Sequence, residues 1–425
     1  MITEKLYYDD VNAVRCEAVL LEVLTGPFKG LPKSVDPAAY CKVIPDRTVL
    51  FPEGGGQPCD TGRLIAADGR TYPIIDTHED GRGGILHGVL CPPEALNAGE
   101  RVTLELDRER RFDNMQRHSG EHILSGAFYK VCGGANKGFH MGDHYITIDI
   151  DLGGAHLTQE QLHRAEELAN RAVWEDLPVT TTWFEDAKAA SVMPTRKPVD
   201  IAGPISIVTV GDPADPFDCV ACCGTHVTSA GQIGLIKIYK VEPNRGMNRV
   251  YFDCGRRALL QSREDSELLR AVNERFSAGN DDLLRKLETR EERESELRAE
   301  LAGMAQYIRA QEADRIAAEI RRSEGTPVHI HTPGPLGPED GVKLGFAVLQ
   351  KCEDVPGDLL LMLYHEAART VLLFSKGAIA CGALVKKHAP AFGGRGGGRP
   401  DNARALFADR ASAEQFLRAV RDSLS

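Results

Sequence analysis

Two short motifs, far apart in the chain, constrain its fold more than any other feature. His118-Ser-Gly-Glu-His122 lies in the segment Arg108 to Tyr129, where Ile123, Leu124, Ala127 and Phe128 form an apolar stripe at helical spacing. Positions i and i+4 share one helix face, so both imidazoles can reach a single metal ion. Cys222-Cys-Gly-Thr-His226 adds a thiolate and a third imidazole at the same spacing. Together His118, His122, Cys222 and His226 offer nitrogen and sulfur donors in the number that tetrahedral Zn2+ takes. A fold that uses both motifs must bring the two segments together around one cation.

Neighbouring residues leave alternatives. Cys219 and Cys223 stand as substitutes for Cys222, and Cys219-Val-Ala-Cys222 also spells a CxxC motif, although its flanks lack the βαβ pattern of redox folds. His140-Met-Gly-Asp-His144 is a second histidine pair, but its glycine disfavours a regular helix. Those two rings read as pocket-lining or merely polar.

The net charge of −11 excludes nucleic-acid binding by overall charge, so any such contact must use a local surface. One candidate is the stretch 386–404, where Lys386, Lys387, Arg395, Arg399 and Arg404 face one anion, Asp401. Within it, Gly393-Gly-Arg-Gly-Gly-Gly-Arg-Pro400 lacks the lysine and hydroxyl of a Walker loop. Its arginines, set among bare backbone amides, suit phosphate oxygens; the alternative is a flexible linker. Hydrophobic residues at 42% and charged residues at 27% are ordinary for a soluble globular protein, and no apolar run is long enough to cross a bilayer. The opening MITEKLYYDD lacks a signal peptide's pattern, so a cytoplasmic protein is expected. Eleven cysteines without a regular framework then read as buried thiols or ligands rather than disulfides.

The chain reads as an α+β protein in four parts. Residues 1–100 carry short strands such as Glu17–Leu24, Arg47–Phe51 and Tyr72–Ile75, parted by glycine and proline clusters, which suits a small β-barrel or sandwich. Residues 101–256 mix the histidine-bearing helix with a second, Thr158–Asp176, whose Thr158 and Gln161 form a capping box, and with strands at 145–150, 205–210 and 234–239. Residues 257–325 form a helical stalk with a break at Gly279-Asn280 and an imperfect heptad seam through Leu283, Leu287, Leu297, Leu301, Met304 and Ile308. A solvated helix packed along one face and an intermolecular coiled coil both fit that seam. Residues 326–425 return to globular α/β composition, with buried strands at 359–363 and 371–375. Glu53-Gly-Gly-Gly-Gln57 is a turn that lets backbone approach a ligand, or else a tight hairpin.

Three ordered motifs, EGGGQPCDTG, RHSGEHILSG and CCGTHV, resemble the editing domain of alanyl-tRNA synthetase and, more closely, its free-standing AlaX-type relatives. The family usually reads CGGTHV in the last motif, where this chain has Cys223. The terminal GGRGGGRPDNA resembles the DHH-associated domain that ends the synthetase and the long AlaX form. The resemblance implies zinc held by His118, His122, Cys222 and His226, and hydrolysis of tRNA(Ala) mischarged with serine or glycine. It implies action in trans without aminoacylation. Thr61 resembles a threonine that recognises the serine hydroxyl, while Gln57, Thr225 and glycine amides are the expected stabilisers of the oxyanion. Lys386, Lys387, Arg395 and Arg399 are the expected tRNA contacts, and the stalk with the C-terminal domain the expected homodimer contact. The competing classes are a zinc-stabilised tRNA-binding module without catalysis and a zinc-dependent hydrolase of small esters.

Overall fold

Alternating apolar and polar residues in the first hundred positions curl into a barrel. Its strands are β1 (Arg15–Leu24), β2 (Cys41–Pro45), β3 (Gly62–Ala66), β4 (Thr71–Glu79), β5 (Ile85–Val89) and β6 (Arg101–Leu106), closed in the order β1-β2-β5-β4-β3-β6. Leu20, Val43, Leu64, Ile74, Val89 and Leu104 fill it. In this computed structural model, residues 2–26, 28, 31, 35–200, 202–323 and 327–424 are described. The expected strand over Arg47–Phe51 shortens to Arg47–Thr48, which pairs in parallel with Glu4–Lys5. Beyond it, side chains take over from the ladder: Thr48 Oγ1 accepts from Leu50 N, and Asp60 Oδ2 from Phe51 N.

The helix carrying the histidines, α1 (Arg108–Cys132), starts on Asp107, whose carboxylate accepts from Glu109 N and Arg110 N. It ends on Gly133, in the left-handed region at φ 68°. Strands β7 (Ala135–Met141) and β8 (Ile146–Asp151) follow. Next comes α2 (Gln159–Trp174), opened by the expected capping box of Thr158 and Gln161. β9 (Val179–Phe184), β10 (Ile205–Asp212) and β11 (Asp215–Ala221) form one antiparallel sheet. β12 (Ile236–Asn244) and β13 (Met247–Cys254) join β8 and β7 in another, ordered β12-β13-β8-β7. One apolar core joins α1 and α2 to these strands through Ile123, Phe128, Ile148, Ala169, Val208 and Phe252. Two glycines let α1 approach closely: a Cβ on Gly120 would stand 2.2 Å from Cys254 Sγ, and one on Gly126 2.9 Å from Asp218 Cβ.

The chain divides into two compact units, Met1–Arg270 and Ala271–Ser425. Helix α3 (Gly255–Phe276) spans that boundary, and α4 (Leu283–Arg322) is the long helix after the expected break. In the second unit, β14 (Val328–His331), α5 (Pro338–Lys351), β15 (Leu359–His365), β16 (Thr370–Lys376), α6 (Cys381–His388), β17 (Arg395–Gly398), β18 (Asn402–Leu406) and α7 (Arg410–Asp422) follow in order. The sheet runs β14-β15-β16-β18-β17. Its central strands read as unbroken apolar runs because both faces are covered. Leu359, Leu361 and Leu363 pack with α4 and α5, while Leu360, Met362 and Tyr364 pack with α6 and α7. The glycine-arginine stretch, for which a flexible linker was the alternative reading, holds the edge strand β17. Its glycines allow an approach so tight that a Cβ on Gly396 would lie 2.0 Å from Arg404 O. Among the described residues no helix is long and apolar enough to cross a membrane.

Candidate functional site

Helix α1 presents His118 and His122 with ring centroids 5.3 Å apart, and the loop after β11 brings His226 to 4.6 Å from the first ring and 4.7 Å from the second. Cys222 Sγ lies 3.3 Å from His118 Nε2. One donor atom from each of His118, His122, Cys222 and His226 falls within 4.8 Å of the others. The alternatives separate cleanly. Cys219 is buried in another apolar cluster with Ala190 and Ile207, and Cys223 is exposed. His140 and His144 are exposed at the end of β7 and the turn beyond it.

Each imidazole is held from behind. Gln57 Oε1 can only accept, so the 2.9 Å contact to His118 Nδ1 puts the proton there and turns the Nε2 lone pair toward Cys222. The same oxygen accepts from Thr225 N at 3.0 Å, and Gln57 Nε2 donates to Thr225 Oγ1 at 2.8 Å. Gly224 fits this knot because a Cβ there would meet His118 Cε1 at 2.2 Å. Ser119 Oγ touches His226 Nδ1 at 3.3 Å, and Asp218 Oδ2 stands 3.7 Å from His122 Nδ1. His226 Nε2 and His122 Nδ1 are buried without a hydrogen-bond partner. His122 Nδ1 is the nitrogen turned to Asp218, but His226 has Ser119 behind Nδ1 and, among the described residues, no partner at Nε2. An unpaired buried nitrogen beside a thiol is costly unless something binds it, so the donor set fits a zinc ion.

The electrostatics of Cys222 and His226 agree with that fit. Burial raises the Cys222 thiol, but the three imidazoles outweigh it and hold it well below its ordinary value. Burial pulls His226 down to about 4, leaving a neutral ring. For His122 burial acts downward too, yet Cys222 and Asp218 carry it up to about 10. Asp218 is itself lowered against its burial by His122 and by Arg196, which forms a 2.6 Å ion pair with it.

A cavity of about 240 Å³ opens beside the cluster, lined by Gly55, Glu121, Lys137, Arg196 and Lys197 together with three of the donors. Glu121 Oε1 is taken by Ser125 and Asn136, both at 2.7 Å. Glu121 and Ser119 lay within a motif already singled out, but Asp218 and Arg196 carried no sequence signal. Gln57 and Thr225 do not line this cavity; at 0% and 2% exposure they bond to each other, and Gln57 also to His118. Thr61 lies outside this cavity as well. It lines a separate hollow with Gly62, Arg63 and Glu105, and its carbonyl accepts from Asp107 N.

In the second unit Lys386 and Lys387 occupy the last turn of α6, Arg395 begins β17 and Arg399 follows it; all four are exposed. Helix and strand touch through Gly382, where a Cβ would sit 2.5 Å from Gly398 O. The four cations therefore share neighbouring elements at one sheet edge.

Two family profiles match. Residues 205–251, which hold Cys222 and His226, match the threonyl and alanyl tRNA synthetase second additional domain. Residues 2–110, the barrel, match tRNA synthetases class II (A). The alanyl-tRNA editing protein AlaX-L of Pyrococcus horikoshii is 30% identical over 309 residues, covering 71% of this chain and 72% of that protein. The alanine–tRNA ligases of Methanospirillum hungatei and Pyrococcus abyssi are 28% and 26% identical over 423 residues, 98% of this chain. The chain spans only 43% of the length of each ligase.

Proposed function

The chain belongs to the alanyl-tRNA editing protein family, and from that premise we propose that it is a trans-editing hydrolase that deacylates Ser-tRNA(Ala), with Gly-tRNA(Ala) as a second substrate, and does not itself charge tRNA. The observation that carries this reading is the set of four donors within 4.8 Å, set against a cavity bearing Lys137 and Lys197. Editing meets a physical need, since a site shaped for alanine's methyl group cannot strongly exclude serine or glycine.

His118, His122, Cys222 and His226 would hold the zinc ion, which when bound supplies positive charge beside the scissile ester. Gln57 orients His118, Ser119 orients His226 and Asp218 stands behind His122; these are positioning residues that keep each lone pair aimed at one point. Arg196 gives Nε and Nη2 to Asp218 and, among the described residues, keeps Nη1 without a partner, so Arg196, Lys137 and Lys197 together would meet oxygens of the aminoacylated end. Gly55, with no side chain, gives the ester access to backbone beside Cys222.

The test is deacylation of Ser-, Gly- and Ala-tRNA(Ala), with zinc measured on the same sample. Cys222→Ala is expected to lose the metal and to cut the rate roughly a hundredfold or more. Retained zinc with full activity removes Cys222 from the site. Single-turnover assays separate this reading from a binding module without catalysis, and dependence on the tRNA separates it from a small-ester hydrolase.

We assign residues 1–100 to the barrel domain, 101–256 to the zinc-binding editing domain, 257–325 to the stalk and 326–425 to a DHH-associated domain that grips tRNA and, with the stalk, pairs two subunits. Arg395, Arg399, Lys386 and Lys387 support the grip by their exposure on one edge. Replacing Arg395 and Arg399 by alanine should lower tRNA affinity and flatten its salt dependence by about two counterions, with zinc content unchanged. Affinity equal to the parent's would defeat the assignment.

A further inference from the structure

A second cavity, of about 550 Å³, adjoins the first and plays no part in the roles given so far. The two share Gly55, Ala221 and Cys222, so the chain around the cluster is a common wall. The far side of the larger cavity is aromatic. Trp183 on β9 is 44% exposed, and Tyr8 packs edge-on against it with centroids 4.8 Å apart. Tyr8 is anchored in turn, its hydroxyl donating to Cys223 O at 3.2 Å. Phe51 closes the floor at 2% exposure.

Strand register sets the distance between the platform and the cluster. Trp183 pairs with Ser206, and Cys222 N donates to Ser206 O at 3.1 Å. Trp183 and Cys222 thus flank one residue across the sheet, two interstrand spacings or about 10 Å apart. That span suits a ribose between a base and an ester on its hydroxyl. The polar groups favour a base over a phosphate: Lys5 is paired with Glu79 at 2.5 Å, and Glu53 and Glu79 leave carboxylate oxygens on the rim. Carboxylates repel phosphate but accept from an exocyclic amine, while a half-exposed indole stacks on any base.

We infer that this cavity holds the 3′-terminal adenosine of the aminoacyl-tRNA, its adenine stacked on Trp183, so that the ester passes over Gly55 and Cys222 into the smaller cavity. This rests on the proposed editing function. Trp183 is then a binding residue, and its loss should act on KM rather than on kcat or zinc content.

The chain has two tryptophans, so a Trp174→Phe background leaves Trp183 as the sole indole. Adenosine 5′-monophosphate and the trinucleotide CCA are expected to quench its fluorescence saturably, and uridine 5′-monophosphate to do so far less. Trp183→Ala should raise KM for Ser-tRNA(Ala) roughly tenfold or more, with kcat and zinc content little changed, and Trp183→Phe should restore most of the loss. An unchanged KM, or deacylation that persists with no quenching by either adenine probe, overturns the inference while leaving the editing function standing. Loss of zinc or of kcat in Trp183→Ala overturns it as well, because the residue is then structural. Quenching by the adenine probes without any deacylation retains the nucleoside site and overturns the catalytic reading instead.

Discussion

Helices α1 and α4 obey opposite rules. Along α1 every residue from Asn114 to Phe128 is buried, including Arg117, His118, Glu121 and His122. Along α4 Leu297, Leu301, Met304 and Tyr307 stand 48%, 69%, 61% and 67% exposed. One helix takes polar groups inside and the other leaves apolar groups outside. Burying polar side chains is tolerable only where partners meet them, and α1 finds those partners on distant segments: Asp253 for Arg117, Gln57 for His118, Asn136 for Glu121. On α4 the packed side chains are Leu283 at its start and Ala305, Ile308, Ala313, Ile316, Ala317 and Ile320 toward its end, and the stripe of Leu297, Leu301, Met304 and Tyr307 lies off that packed face. Departures from ordinary hydropathy mark the chemistry in one case and the proposed subunit contact in the other.

Breaking a partnership on α1 should have the largest effect on stability. Arg117 donates to Asp253 at 2.9 Å and to Gly142 O at 2.7 Å, with the pair 2% and 1% exposed. Arg117→Ala strands a buried carboxylate and should cost about 3–5 kcal/mol in urea unfolding. Adding Asp253→Leu should recover much of that loss; no recovery would mean that packing of the arginine, not its charge, matters there. Gln57→Ala comes next. It frees His118 to rotate and should weaken zinc affinity about 10–100-fold in a chelator competition, without the unfolding penalty of the first variant. Unaltered zinc affinity would leave Gln57 only a structural link to Thr225. The smallest change in fold stability belongs to α4. Leu301→Lys with Met304→Lys should shift unfolding by less than about 0.5 kcal/mol per site in the monomer, yet abolish a dimer in light scattering. A monomeric parent would make the stripe a solvated face.

Local features were legible before any coordinates. The capping box at Thr158, the span of α1 and the helix break near Gly279 follow from residues within a turn or two of each other, and the structure has all three. So were His118, His122, Cys222 and His226 as a donor set, because that chemistry is tied to residue type and spacing. The stretch around Arg395 was harder. Glycines that suggest a loop are here what lets an edge strand lie against Arg404 and α6, a fact that belongs to its neighbours. Where Thr61 and Gln57 lie was no more legible, because proximity in a motif says nothing about which way a side chain faces.

By itself, the amino-acid sequence determined which donors exist, where the long helices run, and that the two halves of the donor set must meet to share one cation. Only the tertiary structure decided who stands behind each ligand. Asp218, Arg196 and Gln57 act through distances of a few ångströms between residues far apart along the chain, and no local pattern encodes such a distance. It emerges when the barrel, α1 and the β9-β10-β11 sheet pack together, and close packing leaves each side chain one place to be.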